Sequence, residues 1–324
     1  MADESSSQTV DDPESEPVRK PFWRRLMYFL LTRVATVYLG ICLIVFLIQR
    51  QMLYHPTRVA RITTNDAQFP ADVAEDIKFE TSDGLTLRGW YFKAEEKAAD
   101  EEAGDAENQS DRRVVLFFHG NAGDRRHRQN DVRIFRKLGV DVCLIDYRGY
   151  GDNPGAPSST GLAHDAQAAW KFLTQKRGIR PQQIVLFGES LGSGVAVRLA
   201  AECCQDGEQP SGLILRSPFS SIADAGAERF PWLPVRALLR DRFPSTEYIP
   251  QVTCPILMIH GTADRIVSYR LGQKLFAAAP SESNAGMKKR FLTLKGVGHN
   301  DILFSAGRIY ANAVHQFLND LPSN

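Results

Sequence analysis

The sequence predicts an α/β fold: a mostly parallel sheet with helices on both faces, preceded by one transmembrane helix. Three observations lead there. From residue 114 onward, short apolar runs alternate with stretches of helical period, as strands buried on both faces do when helices lie between them. Upstream, an apolar run from Leu26 to Ile48 follows a basic cluster. Across 324 residues, 43% are hydrophobic and 24% charged, enough for a sizeable core. The net charge of +1, from 39 Lys and Arg against 38 Asp and Glu, argues against a nucleic-acid partner. The cysteines, Cys42, Cys143, Cys203, Cys204 and Cys254, show neither zinc-ligand spacing nor a paired framework, so neither a metal site nor a disulfide scaffold is expected.

In chain order, residues 1–18 are acidic and serine-rich with no Lys or Arg, and such a segment reads as a disordered tail. Residues 19–50 form a basic flank and a membrane anchor. Arg19, Lys20, Arg24 and Arg25 precede the apolar run, which is broken only by Thr32, Arg33 and Thr36. As a helix it spans about 34 Å at about 1.5 Å per residue, against about 30 Å for a bilayer core. Arg33 lies near the entry side, where it can snorkel to the headgroups. Trp23 and Tyr28 at one end, and Tyr54 just past the other, suit interfacial aromatics. A cleaved signal peptide and a buried helix of the fold are the alternatives; no small-x-small cleavage site follows, and Ile41 before Cys42 spoils a lipoprotein-type site. The basic bias slightly favours a cytoplasmic N-terminus and an extracytoplasmic C-terminal domain, with Arg50, Arg58 and Arg61 on the far side.

Residues 51–74 read as a connector to a domain over 75–320. Glu75–Thr81 and Leu85–Lys93 alternate like two strands around the turn Ser82-Asp83-Gly84. The acidic stretch 94–111 reads as a surface insertion. Strands are expected at Val114–Phe118, Val140–Tyr147, Ile184–Phe187, Leu213–Leu215, Ile256–Ile259 and Arg290–Leu294. Helices are expected at Gln129–Leu138, Leu162–Gln175, Leu191–Cys203, Tyr269–Ala279 and Asp301–Leu318.

Ligands of open α/β sheets gather beyond the carboxyl ends of the strands, so the residues following each apolar run carry the chemistry. Gly188-Glu189-Ser190-Leu191-Gly192 is G-x-S-x-G between a strand and a helix, the context in which a strained turn exposes a nucleophilic serine. A serine hydroxyl needs a base. Of seven histidines, His299 lies in the loop between the last strand and the last helix, whereas His119 and His260 each end a strand and are expected to support loop conformation. The base needs a carboxylate to hold its tautomer. Asp264 lies past Ile256–Ile259, with Asp224 as the competing orienter, and Asp301 is expected at the start of the last helix. Two N–H donors for an oxyanion are expected from the main chain of Leu191, after the serine, and of Asn121, in the loop His119-Gly120-Asn121-Ala122-Gly123.

Taken together, Phe118–Gly123, Asp146-Tyr147-Arg148-Gly149-Tyr150-Gly151, Gly188–Gly192, His260–Asp264 and Gly298-His299-Asn300 resemble the α/β-hydrolase superfamily. Within it they are similar to the Bem46-like group, whose members include membrane-anchored serine hydrolases. The resemblance covers roughly residues 75–320 and implies an α/β-hydrolase fold with a short cap. It implies a triad of Ser190, Asp264 and His299 with oxyanion donors Asn121 and Leu191, and no cofactor or metal. The acidic tail and the 94–111 insertion depart from the pattern. Palmitoyl-thioesterase members of the wider group carry a cysteine-rich N-terminus, and only Cys42 stands there in this chain.

The expected activity is cleavage of carboxylic esters, including lipid or acyl esters or thioesters, through an acyl-enzyme. The alternatives are a serine peptidase or amidase, and a catalytically silent membrane scaffold on the same fold. The partners expected are a small-molecule or lipid-like ester and the membrane; oligomeric state is not indicated. Phe230, Pro231, Trp232, Leu233, Pro234, Leu238 and Leu239 could build an apolar acyl-binding cap or a packed helical connector. Arg125, Arg126 and Arg128 read as a solvated helix face, or as a lure for an anionic substrate.

Overall fold

A computed structural model describes residues 22–95 and 112–322. The acidic tail 1–18 and residues 96–111 of the acidic insertion lie outside the described residues. The chain divides into two compact units, Met1–Leu47 and Ile48–Asn324. The apolar run is part of helix α1, Phe22–Leu53, whose 32 residues make it long and apolar enough to cross a membrane. Only 6% of its most apolar window is buried, which a core helix of a folded domain would not tolerate.

In the second unit, eight strands form one sheet. They are β1 (Ala74–Glu80), β2 (Thr86–Phe92), β3 (Val114–Phe118), β4 (Asp141–Ile145), β5 (Ile184–Glu189), β6 (Gly212–Arg216), β7 (Ile256–Gly261) and β8 (Arg290–Leu294). Their order across the sheet is β8-β7-β6-β5-β3-β4-β2-β1. Only β2 runs against its neighbours β1 and β4, and the other pairs are parallel. The helices that connect and follow them are α2 (Gln129–Lys137), α3 (Ser159–Lys171), α4 (Leu191–Gln205), α5 (Ile222–Arg229), α6 (Tyr269–Ala278) and α7 (Ile302–Asp320).

The period-2 alternation of strand side chains divides the core between the two faces. Val114, Leu116 and Phe118 of β3 join one cluster with Leu162, Val195 and Leu271, from α3, α4 and α6. Val115 and Phe117 join the other, with Val132 and Phe135 of α2 and Tyr310 and Phe317 of α7. Both faces are therefore covered by helices.

The strand order then selects where a site can form. The chain crosses from β3 to β4 on one side, and returns through α3 to β5 on the other side of β3. Phe118 thereby pairs in register with Gly188, so the loops leaving β3 and β5 diverge from a common point, the crevice where open α/β sheets bind ligands.

Three sequence expectations are corrected. Tyr54 is not an interfacial aromatic; it is buried in the core of the second unit at 4% exposure. Arg125 is not on a solvated face. It is fully buried, with its guanidinium 2.5 Å from Asp146 and 2.8 Å from Asp152. Residues 51–74 are more than a connector, since His55–Pro56 pairs in parallel with Ala122–Gly123 and Thr64–Ala67 forms a 3-10 turn. The cap is short: between Ser217 and Pro250 lie α5 and two single-turn helices, Val235–Leu238 and Ser245–Tyr248. Leu233 packs inward there, and Trp232 is exposed.

Asp146 follows β4 at the heart of this arrangement, accepting from the Arg125 main-chain N–H at 2.7 Å besides its ion pair. Removing one partner of a buried pair leaves the other charge uncompensated, at a cost of about 3–5 kcal/mol. Asp152 stays beside Arg125, so Asp146→Ala is expected to lose stability up to that order in chemical denaturation of the detergent-solubilised chain. Asp146→Asn is expected to lose less, because its amide oxygen still accepts from Arg125.

Candidate active site

The turn from β5 into α4 is built by exclusion. A Cβ on Gly188 would stand 2.5 Å from the Gly192 carbonyl oxygen, and one on Gly192 would collide with the Phe118 carbonyl. No side chain fits at either position. Ser190 between them takes φ +50° and ψ −114°, a region that costs a non-glycine residue about 1–3 kcal/mol. Its N–H donates to the Arg216 carbonyl at 2.9 Å, which ties the strained residue to β6.

From that turn the Ser190 hydroxyl lies 3.0 Å from His299 Nε2. His299 Nδ1 lies 2.6 Å from Asp264 Oδ2. A carboxylate only accepts, so Nδ1 carries the hydrogen and Nε2 presents its lone pair to the serine. The other Asp264 oxygen receives the main-chain N–H groups of Ile266 and Val267 at 2.9 and 2.8 Å. The three residues expected to act together thus form one hydrogen-bonded chain. Burial alone would push the Asp264 carboxyl up; hydrogen bonds from His260 and His299 hold it well below the usual carboxylate range.

The competing orienter does not reach His299. Asp224 accepts from Ser220 and is paired with Lys274 and Arg236 at 2.6 and 2.9 Å. Asp301 stands at the start of α7, as expected, without a side-chain capping hydrogen bond. His119 turns its Nδ1 to the Gly120 carbonyl at 2.7 Å, a loop-supporting contact. His260 does more than support its loop. Its Nε2 lies 3.2 Å from the Asp264 oxygen that faces His299, so two imidazoles share one carboxylate.

Leu191 is the first residue of α4, where main-chain N–H groups have no intrahelical acceptor. Asn121 lies in the loop leaving β3, and that loop is fastened to the serine turn. Gly120 donates its N–H to Glu189 Oε2 at 3.2 Å. Glu189 is held in turn by Arg128 at 2.8 Å and Arg216 at 3.1 Å. Burial disfavours the Glu189 carboxylate, but these two guanidinium groups hold its pKa down at about 2. The sequence reading missed Glu189. Its signal is a charged residue ending an otherwise apolar strand.

A cavity of about 880 Å³ opens beside His299. Its lining includes the charged Arg128, Asp131, Glu189 and Arg216 and the apolar Ile302, Leu303 and Phe304, and Ser190 is not part of it. Phe304 is 97% exposed. Among the described residues, no group of three or more His, Cys, Asp or Glu is placed to hold a metal ion.

A profile of the family described as "Serine aminopeptidase, S33" matches residues 109–248. An uncharacterized protein of Mycobacterium tuberculosis is 40% identical over 287 residues, covering 89% of this chain and 93% of its own. Lysophosphatidylserine lipase ABHD12 of Danio rerio is 33% identical over 234 residues, covering 66% of this chain, which itself spans 61% of that lipase. Among solved structures, a Pyrococcus furiosus esterase superposes with a TM-score of 0.61 at 19% identity, covering 83% of this chain and 98% of the esterase. At that identity the likeness is one of fold.

The depressed pKa of Asp264 carries a stability consequence. An unfolded aspartate titrates near about 3.9, so the carboxylate's contribution is complete above that pH and drains away as pH falls toward the lower folded value. Wild type is expected to exceed Asp264→Asn in melting temperature at neutral pH, with the gap closing as pH drops below about 4. A gap independent of pH would remove the charged hydrogen bonds as its cause.

Proposed function

We propose that this chain, which belongs to the α/β-hydrolase superfamily, is a membrane-anchored serine hydrolase of amphiphilic carboxylic esters. It is an enzyme acting on esters, in keeping with lipases among its relatives and esterases among its structural neighbours. The observation that carries the mechanism is the chain of contacts from Ser190 through His299 to Asp264.

In the proposed cycle His299 Nε2 takes the Ser190 proton as the oxygen adds to the ester carbonyl. The oxyanion of the tetrahedral intermediate receives the main-chain N–H groups of Asn121 and Leu191, and Asp264 stabilises the imidazolium. Collapse expels the alkoxide, which leaves as an alcohol with the proton from His299, and acyl-Ser190 remains. A water then gives its proton to His299 and adds to the acyl carbon. The second intermediate releases the acid and returns the proton to Ser190. No metal or organic cofactor enters these steps.

The charged and apolar side chains lining the cavity beside His299 support a substrate with a polar head and an acyl chain, such as a single-chain lipid ester. Helix α1 supports single-pass anchoring, and the basic residues before it support an extracytoplasmic domain. The domain then comprises residues 75–320 together with the segment from 48 onward, on the N-terminal anchor.

A fluorophosphonate probe is expected to label wild type and to fail on Ser190→Ala and His299→Ala. Asp264→Asn should lower kcat by on the order of 10⁴. A p-nitrophenyl ester series should favour medium or long acyl chains over acetate. Faster turnover of aminoacyl amides than of any ester would replace the esterase reading with a peptidase. A folded wild type that does not label would leave a silent scaffold.

A further inference from the structure

We propose that the segment on which the chain leaves helix α1, Leu53–Thr57, is a positioning element for the loop that donates to the oxyanion. The reaction centre is then coupled to the exit of the membrane anchor. This rests on the oxyanion role given above to Asn121.

The Asn121 side chain uses both ends of its amide on this segment. Its Nδ2 donates to the Leu53 carbonyl, and its Oδ1 accepts the His55 N–H at 3.3 Å. The Tyr150 hydroxyl donates to the same Oδ1 at 2.9 Å. The next two residues of the loop, Ala122 and Gly123, pair in parallel with His55 and Pro56. Thr57 donates its N–H to the Gly123 carbonyl at 3.2 Å.

The segment is itself held firmly. Tyr54 is buried in the core. Gln49 Oε1 accepts the Arg240 N–H at 2.7 Å, and Arg50 pairs with Asp241 at 2.8 Å. Beyond the loop, Thr57 accepts the Gly151 N–H at 2.8 Å and Val59 donates to the Gly151 carbonyl at 2.9 Å. The segment is therefore fixed at both ends where it crosses the loop.

The peptide unit that matters joins Gly120 to Asn121. A trans peptide points its C=O and N–H in opposite directions, and the Gly120 carbonyl is held by His119 Nδ1. What remains free is a rigid shift of the loop, and the Asn121 amide opposes it through Leu53 and His55. An oxyanion donor displaced by about 1 Å loses up to about 10²-fold in rate. This role leaves substrate binding intact, because the bonds are made to the loop's own side chain and not to a substrate.

The test uses the full chain in detergent or nanodiscs. Asn121→Ala keeps the main-chain N–H and removes both side-chain ties to the exit segment, leaving the pairing of Ala122 and Gly123 with it. It is expected to lower kcat about 10–100-fold with KM within about twofold. The affinity for a trifluoromethyl ketone, whose adduct bears the oxyanion, should fall by the same factor as kcat/KM. Asn121→Asp, which still accepts from His55 and Tyr150, should recover part of the loss. His55→Pro removes the exit-segment donor. It should slow wild type and add nothing to Asn121→Ala, because both act on one linkage. Thr57→Pro removes the N–H donated to the Gly123 carbonyl, a bond that Asn121→Ala leaves in place; if His55→Pro does not fold, Thr57→Pro should by itself lower kcat with KM within about twofold, outside the cycle. A folded Asn121→Ala with kcat within about twofold of wild type would overturn the proposal, as would full additivity in the cycle. Either result with an active, probe-labelled wild type leaves the Ser190 reading standing. A wild type that neither labels nor turns over defeats that reading instead.

Discussion

Ser190 holds its strained backbone because three strands converge where it stands. Gly188 and Gly192 leave no volume for side chains against the turn and the end of β3, and the Arg216 carbonyl at the end of β6 accepts the serine's own N–H. Strain of this kind persists only where the surroundings over-determine it. Everything else at the site is arranged from that point. α4 starts one residue later, so its free N–H groups and its dipole face the space above the serine. The loop leaving β3 is adjacent because Phe118 is in register with Gly188.

A set of buried and half-buried ions supports this point. Glu189 takes the Gly120 N–H and two guanidinium groups, and Arg216 reaches Asp131 of α2 at 2.5 Å. Such networks contribute little net stability relative to apolar packing, since desolvation offsets most of the attraction. Their directional hydrogen bonds instead join β3, β5, β6 and α2 in one geometry, which apolar contacts alone would specify less sharply. On the opposite side Asp264 plays a similar part. It gathers His260, His299 and two main-chain N–H groups, so the His299 imidazole is oriented by a carboxylate that is itself immobilised.

The N-terminal helix bears on this arrangement through its last turn. The residues that follow the apolar run are bonded to the loop leaving β3 and to the turn around Gly151. A length of chain that its composition marks as a spacer is thus part of the folded domain. Interfacial aromatics and core aromatics share one residue type, which is why Tyr54 reads as either until its neighbours are known.

Much of the fold and of the site is legible from residues alone, for a local reason. Strand, turn and helix around Ser190 occupy one short stretch, and the glycines, the apolar run and the helical period that specify them are all in it. The order Ser190, Asp264, His299 and their places, each after a strand, are legible in the same way, as are the two covered faces of the sheet. The tertiary structure alone decided the rest. It set β3 beside β5 with β4 beyond, buried Arg125 between Asp146 and Asp152, and chose Asp264 over Asp224 by proximity to His299. It also brought Leu53 and His55 to Asn121 across 68 and 66 residues. On the exit segment those contacts use main-chain groups, which every residue carries alike, so nothing in that segment's side chains announces the Asn121 amide as their partner.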